Sequence, residues 1–217
     1  MKCLAYLVQR KSMGITYEHG DCIGVHSNLV PNGTIEMYTD ASFAEDVLTR
    51  HSTSGCASVK NRGAITWGSK GQSKVALSTG DAELRALAKA FVDVRWLRKL
   101  VRLFADPAVR NKKRAEDDDS EHDVLPPTVI WEDNKSTISW VDNPVAHEKT
   151  KHIDVPLKAL REAQSEHKTI KVKYIKSHLQ LADGLTKNLS PTKHYAVMAP
   201  LLNWPQPERL PSAAASA

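Results

Sequence analysis

The sequence predicts an α/β domain whose central sheet is covered by helices, and three stretches carry that expectation. Thr34–Ser42 is a β-prone run that ends on the carboxylate of Asp40, and two further short β-prone runs follow it around Asn61-Arg62-Gly63. Residues 78–104 hold the strongest helical pattern of the chain, with Leu84, Leu87, Ala88, Phe91, Val94, Leu97, Val101 and Phe104 recurring at helical spacing. Thr128-Val129-Ile130-Trp131-Glu132-Asp133 is a short, nearly continuous apolar run closed by an acid, the pattern of a strand buried on both faces.

A chain of 217 residues is long enough for one domain with its own core, or for one domain with appendages. Its formal net charge of +5 permits a phosphate-bearing partner without requiring one. Cys3, Cys22 and Cys56 are odd in number and widely spaced, which argues against a disulfide framework and against a cysteine zinc site. A reducing, intracellular setting is therefore expected. The apolar run Cys3–Val8 is too short for a membrane span and has no small-residue cleavage site after it, so no membrane partner is expected.

In chain order, residues 2–10 read as an amphipathic helix and Gly14–Glu18 as a strand. Residues 1–33 form too small a piece to bury a core, and so read as an adaptor or as the tail of something larger. The main domain spans residues 34–190. Its first strand leads through a polar loop into the hairpin around Asn61-Arg62-Gly63, giving three antiparallel strands. Ser78 caps the long helix with Asp81 as its capping-box partner. Glu83 shares the apolar stripe, whereas Asp81 lies about 200° away around the helix and is not expected to point inward.

Residues 110–125 change character, from Lys112-Lys113-Arg114 to Glu116-Asp117-Asp118-Asp119-Ser120-Glu121. They lack the glycine and closing glutamate of an EF-hand calcium loop, and read as a disordered acidic insertion. Asn134 starts a short helix stopped by Asn143-Pro144, and Leu157, Leu160 and Ala163 mark a second helix with Pro156 in its first turn. Thr169–Ile175 alternates as a strand, and residues 179–187 read as a short helix containing Asp183. Gly184 weakens that helix by about 1 kcal/mol relative to alanine. Residues 191–217 read as a C-terminal helix followed by a disordered tail rich in Pro, Ser and Ala.

Asp40, Glu83, Asp133 and Asp183 thus lie at two strand ends and in two helices able to cover the sheet. Four acids converging without a basic partner would repel one another, so they make sense as ligands of hard divalent cations. Two such ions about 4 Å apart suit phosphodiester cleavage. Asp46, Asp81 and Glu132 are rival acids: Asp46 lies in a loop, Asp81 serves as a cap, and Glu132 has the opposite strand parity to Asp133.

Seven segments then resemble a known family in its own order: residues 38–42, 52–55, 65–70, 76–83, 132–134, 149–154 and 181–187. They are similar to the ribonuclease H domain of Ty1/copia-type retrotransposon Pol polyproteins. Residues 1–33 resemble the connection that follows the reverse transcriptase there. The resemblance implies a ribonuclease H-like fold, a five-stranded mixed sheet flanked by helices. It also implies a two-metal phosphodiester hydrolase that cuts the RNA strand of RNA–DNA hybrids during reverse transcription. Asp40, Glu83, Asp133 and Asp183 match the metal-binding acids, with two Mg²⁺ ions as cofactor and Mn²⁺ able to substitute. The implied partners are the hybrid and a reverse transcriptase domain or subunit, in the cytoplasm, in a virus-like particle, or in the nucleus. A non-catalytic nucleic-acid-binding or structural remnant of a retroelement is the alternative. The sequence contains no polymerase acidic motif.

Lys70, Lys74, Lys149 and Lys151 are the candidate phosphate contacts, because hybrid recognition rests on backbone charge and 2′-hydroxyls. Each also reads as an ordinary surface lysine. His178, five residues before Asp183, is either a proton carrier near the last acid or a plain surface histidine. His147 and His152 lack a third ligand and read as structural.

Overall fold

The computed structural model describes residues 14–17, 34–105, 125–143 and 154–204. The strands are β1 (Glu36–Ser42), β2 (Thr53–Lys60), β3 (Gly63–Gly71), β4 (Thr128–Glu132) and β5 (Ile170–Tyr174). The helices are α1 (Thr79–Ala105), α2 (Lys135–Asp142), α3 (Asp154–Ser165), α4 (Asp183–Thr186) and α5 (Pro191–Leu202). The five strands form one mixed sheet in the order β3-β2-β1-β4-β5. β1, β2 and β3 pair antiparallel, while β4 runs parallel to both β1 and β5. This is the five-stranded mixed sheet flanked by helices that the resemblance implies.

The meander turns where Asn61 and Arg62 both take positive φ, 53° and 66°, the backbone that a tight two-residue hairpin requires. The parallel strands need long connections instead, and helices supply them. On one face of the sheet Met37 and Ile130 pack under Leu84, Leu87, Leu157 and Leu160 of α1 and α3. On the other, Tyr38, Ala57 and Trp131 pack under Leu181, Val197 and Leu201. Each such large apolar side chain, fully buried, contributes about 1.5–3 kcal/mol. β4 is buried on both faces, as its unbroken apolar run requires.

Local chemistry sets the element ends. Ser78 Oγ accepts from the Asp81 amide at 3.1 Å while Asp81 Oδ2 accepts from the Leu77 amide at 2.9 Å, so α1 starts with a reciprocal cap. Asn134 Oδ1 accepts from the amides of Ser136 and Thr137 and caps α2. Arg98, buried on α1, donates to the carbonyls of Leu125 and Pro126 and to Thr128 Oγ1, fixing the entry to β4.

Three expectations are corrected. Gly14–Tyr17 is not a strand: its backbone bonds to α5 (Thr16 N to Leu202 O, 3.1 Å) instead of to a strand edge, and Tyr17 Oη donates to Ala64 O. The helix expected over 179–187 is a 3₁₀ turn at Ser177–Leu179 followed by the short α4. Gln180 divides them, since its side-chain amide donates to Thr39 O and Trp131 O, and its carbonyl accepts from the Ala182 amide. Asp81, expected to point away from the interior, is only 2% exposed, because the cap folds it back over the helix end. The helix expected at 2–10, most of the acidic stretch 110–125 and the tail beyond Trp204 lie outside the described residues. No helix among the described residues is long and apolar enough to cross a membrane.

Candidate active site

β1 and β4 pair only as far as Tyr38 opposite Trp131. Asp40 lies within β1, opposite Gly55 of β2 and two residues before the strand ends, and not at a strand end as expected. Asp133 follows β4 directly, and α1 brings Glu83, just past its first turn, to the same point. One carboxylate oxygen from each of Asp40, Glu83 and Asp133 lies within 4.8 Å of the other two. Gln180 stitches β1 to β4 just beside this point through its bonds to Thr39 and Trp131.

Asp183, the first residue of α4, stands outside that close group. It is joined to it by Lys187, whose Nζ donates to Asp183 Oδ1 at 2.7 Å and to Asp40 Oδ1 at 3.1 Å. The Thr186 hydroxyl donates to the other oxygen, Asp40 Oδ2. The expectation of four acids without a basic partner is therefore corrected: α4 supplies a cation as well as an acid. Gly184 lets α5 approach, since a Cβ there would sit 2.5 Å from Met198 Cε and 3.0 Å from Val197 Cγ1.

Gly55 on β2 is what allows α4 to reach this depth. A Cβ there would sit 2.6 Å from Thr186 Cγ2, 3.0 Å from Leu185 Cβ and 3.2 Å from Ala182 O. Gly55→Val is expected to cost about 1–3 kcal/mol by overpacking and to lift Asp183 and Lys187 from Asp40. Urea unfolding measures the first effect; a variant as stable as the parent would show that α4 is not seated on Gly55.

The electrostatics are those of crowded, desolvated acids. Burial pushes the Glu83 carboxyl up to about 9, helped by the charges of Asp40 and Asp133 and opposed by Lys187. Glu132 is also raised well above the usual range, by burial first and then by the charge of Glu83. Burial raises Asp183 too, against the hydrogen bond from Lys187. Although burial works against the charge of Lys187, its hydrogen bond to Asp183 and the charge of Asp40 hold it above the usual lysine range. The donor set fits a divalent cation: it is all hard oxygen, and buried Glu83 Oε2 has no hydrogen-bond partner.

Among the rivals, Asp46 is an exposed loop acid whose Oδ1 accepts from the amides of Leu48 and Thr49, and Asp81 binds Arg85 Nε at 2.7 Å. Glu132 is 0% exposed; its Oε1 accepts from the Asn134 amide, while its Oε2 has no partner. Sequence reasoning set Glu132 aside and passed over Thr186 and Lys187. The i,i+4 spacing of Asp183 and Lys187 on a helix was the available signal for that pair. Lys70 is exposed on β3 and Lys74 is exposed in the loop after it. His178 is exposed in the 3₁₀ turn. Lys149, Lys151, His147 and His152 lie outside the described residues.

No protein-family profile matches the chain. Among solved structures it is similar to LC11-RNase H1, isolated from compost by a metagenomic approach, at 15% identity and TM-score 0.46, covering 71% of this chain and 93% of that one. It is also similar to the same protein in complex with an RNA/DNA hybrid, at 13% identity and TM-score 0.45, covering 70% and 94%. The chain is 31% identical over 168 residues, 77% of its length, to the retrovirus-related Pol polyprotein from transposon TNT 1-94 of Nicotiana tabacum. It is 29% identical over 191 residues, 88% of its length, to that from transposon RE1 of Arabidopsis thaliana. The chain spans 11% of the length of each of these relatives. Its homologues are thus the retrovirus-related Pol polyproteins of copia-type plant transposons.

Proposed function

We propose that this chain is a ribonuclease H: a metal-dependent endonuclease that hydrolyses the RNA strand of RNA–DNA hybrids, as a domain of a retroelement polyprotein. The observation that carries the reading is the convergence of Asp40, Glu83 and Asp133 oxygens within 4.8 Å, with Asp183 tied to Asp40 through Lys187. Asp40, Glu83, Asp133 and Asp183 would hold divalent ions, Mg²⁺ with Mn²⁺ as substitute. Such ions, when bound, ease attack by water on a phosphodiester and neutralise charge on the leaving oxygen. The chain itself fixes the acids from two neighbouring strands and two helices, so that little reorganisation is needed on binding. The exposed Lys70 and Lys74 are proposed backbone contacts, a reading supported by their charge and exposure. A reverse transcriptase domain is the proposed neighbour in a longer polyprotein, a reading supported by the resemblance of residues 1–33 to the connection after a reverse transcriptase and by Pol polyprotein relatives of whose length the chain spans 11%.

The test is cleavage of an end-labelled RNA–DNA hybrid by the purified chain, with Mg²⁺ and with EDTA, beside single-stranded RNA and duplex DNA. Cutting confined to the hybrid's RNA strand and abolished by EDTA is the expected result. A folded chain that binds the hybrid but cuts it in neither Mg²⁺ nor Mn²⁺ would overturn the enzyme and leave a binding remnant.

A further inference from the structure

Among the described residues, both ion pairs that reach the four acids are made by one side chain, Lys187. It is not a pair held wholly at the surface, because the Asp40 side chain it touches is 1% exposed. It is not locked in either, since its own side chain remains 39% exposed. α4 engages both oxygens of Asp40 at once, Oδ2 through the Thr186 hydroxyl and Oδ1 through the Lys187 ammonium. The same ammonium holds Asp183.

We propose that Lys187 is a built-in cation that competes with divalent metal for Asp40 and Asp183, so that an ion needing Asp40 alone of the two shares it with the ammonium, while a second ion needing both enters only by displacing this side chain. The inference rests on reading the four acids as metal ligands. Carboxylates brought this close need compensating charge, and the lysine that caps the C-terminus of α4, four residues after Asp183, supplies it before any ion arrives. An ion held by Asp40, Glu83 and Asp133 does not need Asp183. An ion that draws on Asp183 must take it from Lys187, along with a share of Asp40. Lysine suits this exchange better than arginine would, because its compact ammonium sits on a flexible stem and has no forked geometry to lose. A phosphodiester backbone is the fitting acceptor for the displaced ammonium, which would couple entry of the second ion to arrival of a polyanionic substrate.

The test is titration of Mn²⁺ into the purified chain without nucleic acid, read by calorimetry and by the resonance of free Mn²⁺, for wild type, Lys187→Met and Lys187→Arg. Lys187→Met is expected to tighten the weaker site about tenfold or more and to lower the metal-free melting temperature, whereas Lys187→Arg, which keeps the charge, leaves the weaker site weak. Unchanged or weaker binding in Lys187→Met would overturn the proposal. Should Lys187→Met fail to fold, side-chain NMR of ¹⁵N-lysine wild type replaces it: the Lys187 ammonium signal should shift as Mg²⁺ saturates, and a signal that stays put overturns the proposal. A tenfold shift in a chain that cuts no hybrid would sink the nuclease reading alone. Identical isotherms in a chain that cuts the hybrid would sink this one alone.

Discussion

Asp133→Asn should reduce cleavage of the hybrid on the order of 10³-fold or more while leaving the fold intact, because it removes a charge that serves a cation and no part of the core. Asp133 follows β4 at a half-buried position, and asparagine keeps its shape. The exchange also removes one of the charges that repel Glu83, so the metal-free variant should melt at the parent's temperature or above it. Steady-state cleavage beside a thermal melt separates the two effects. Full activity in the variant would remove Asp133 from the site, and a lower melting temperature would make it a structural residue.

Three of the four acids were legible in the sequence for local reasons. Asp40 and Asp133 belong to β-prone runs, and Glu83 falls in the apolar stripe of α1, so each position follows from the geometry of one element, although Asp40, expected at the end of its strand, lies two residues inside β1. Asp183 was placed in a helix, but its relation to the others depends on how deeply α4 sits, which is decided on another strand by Gly55. The same dependence concealed Lys187. An acid and a lysine four residues apart on a short helix read as a solvated pair, and only the approach over Gly55 makes that pair part of the site. Glu132 was set aside on strand parity, and the parity is correct, since Ile130, two residues earlier, packs in the α1-side core. Yet α1 delivers Glu83 across that face, so the charge of Glu83 acts on Glu132. For Asp81 the helical angle misled, because a capping side chain in a first turn bends back toward Leu77 whatever face its Cα lies on.

The metal-free chain should lose stability as pH rises through neutrality, the reverse of ordinary acid denaturation. Glu83 in the folded chain keeps its proton until about pH 9, whereas its ordinary value is 4.5. Between those values the folded state binds more protons than the unfolded one. Its contribution is therefore complete below about pH 4.5 and is lost progressively as pH climbs toward 9. A single group of this kind gives a slope approaching 1.4 kcal/mol per pH unit, so roughly 2–3 kcal/mol should disappear between pH 6 and 8. Glu132 and Asp183, both raised, act in the same direction. Asp46, whose carboxyl is lowered by the Thr49 and Leu48 amides, acts oppositely, but only in acid outside this window. Urea unfolding in EDTA at pH 6, 7 and 8 measures the slope, and Glu83→Gln should flatten it because glutamine has no proton to lose. Saturating Mg²⁺ should flatten it too, since a cation binds the deprotonated acids and replaces the protons. A metal-free chain whose stability is level or rises from pH 6 to 8 would mean that these carboxylates are already ionised, with Lys187 sufficing as their counter-charge.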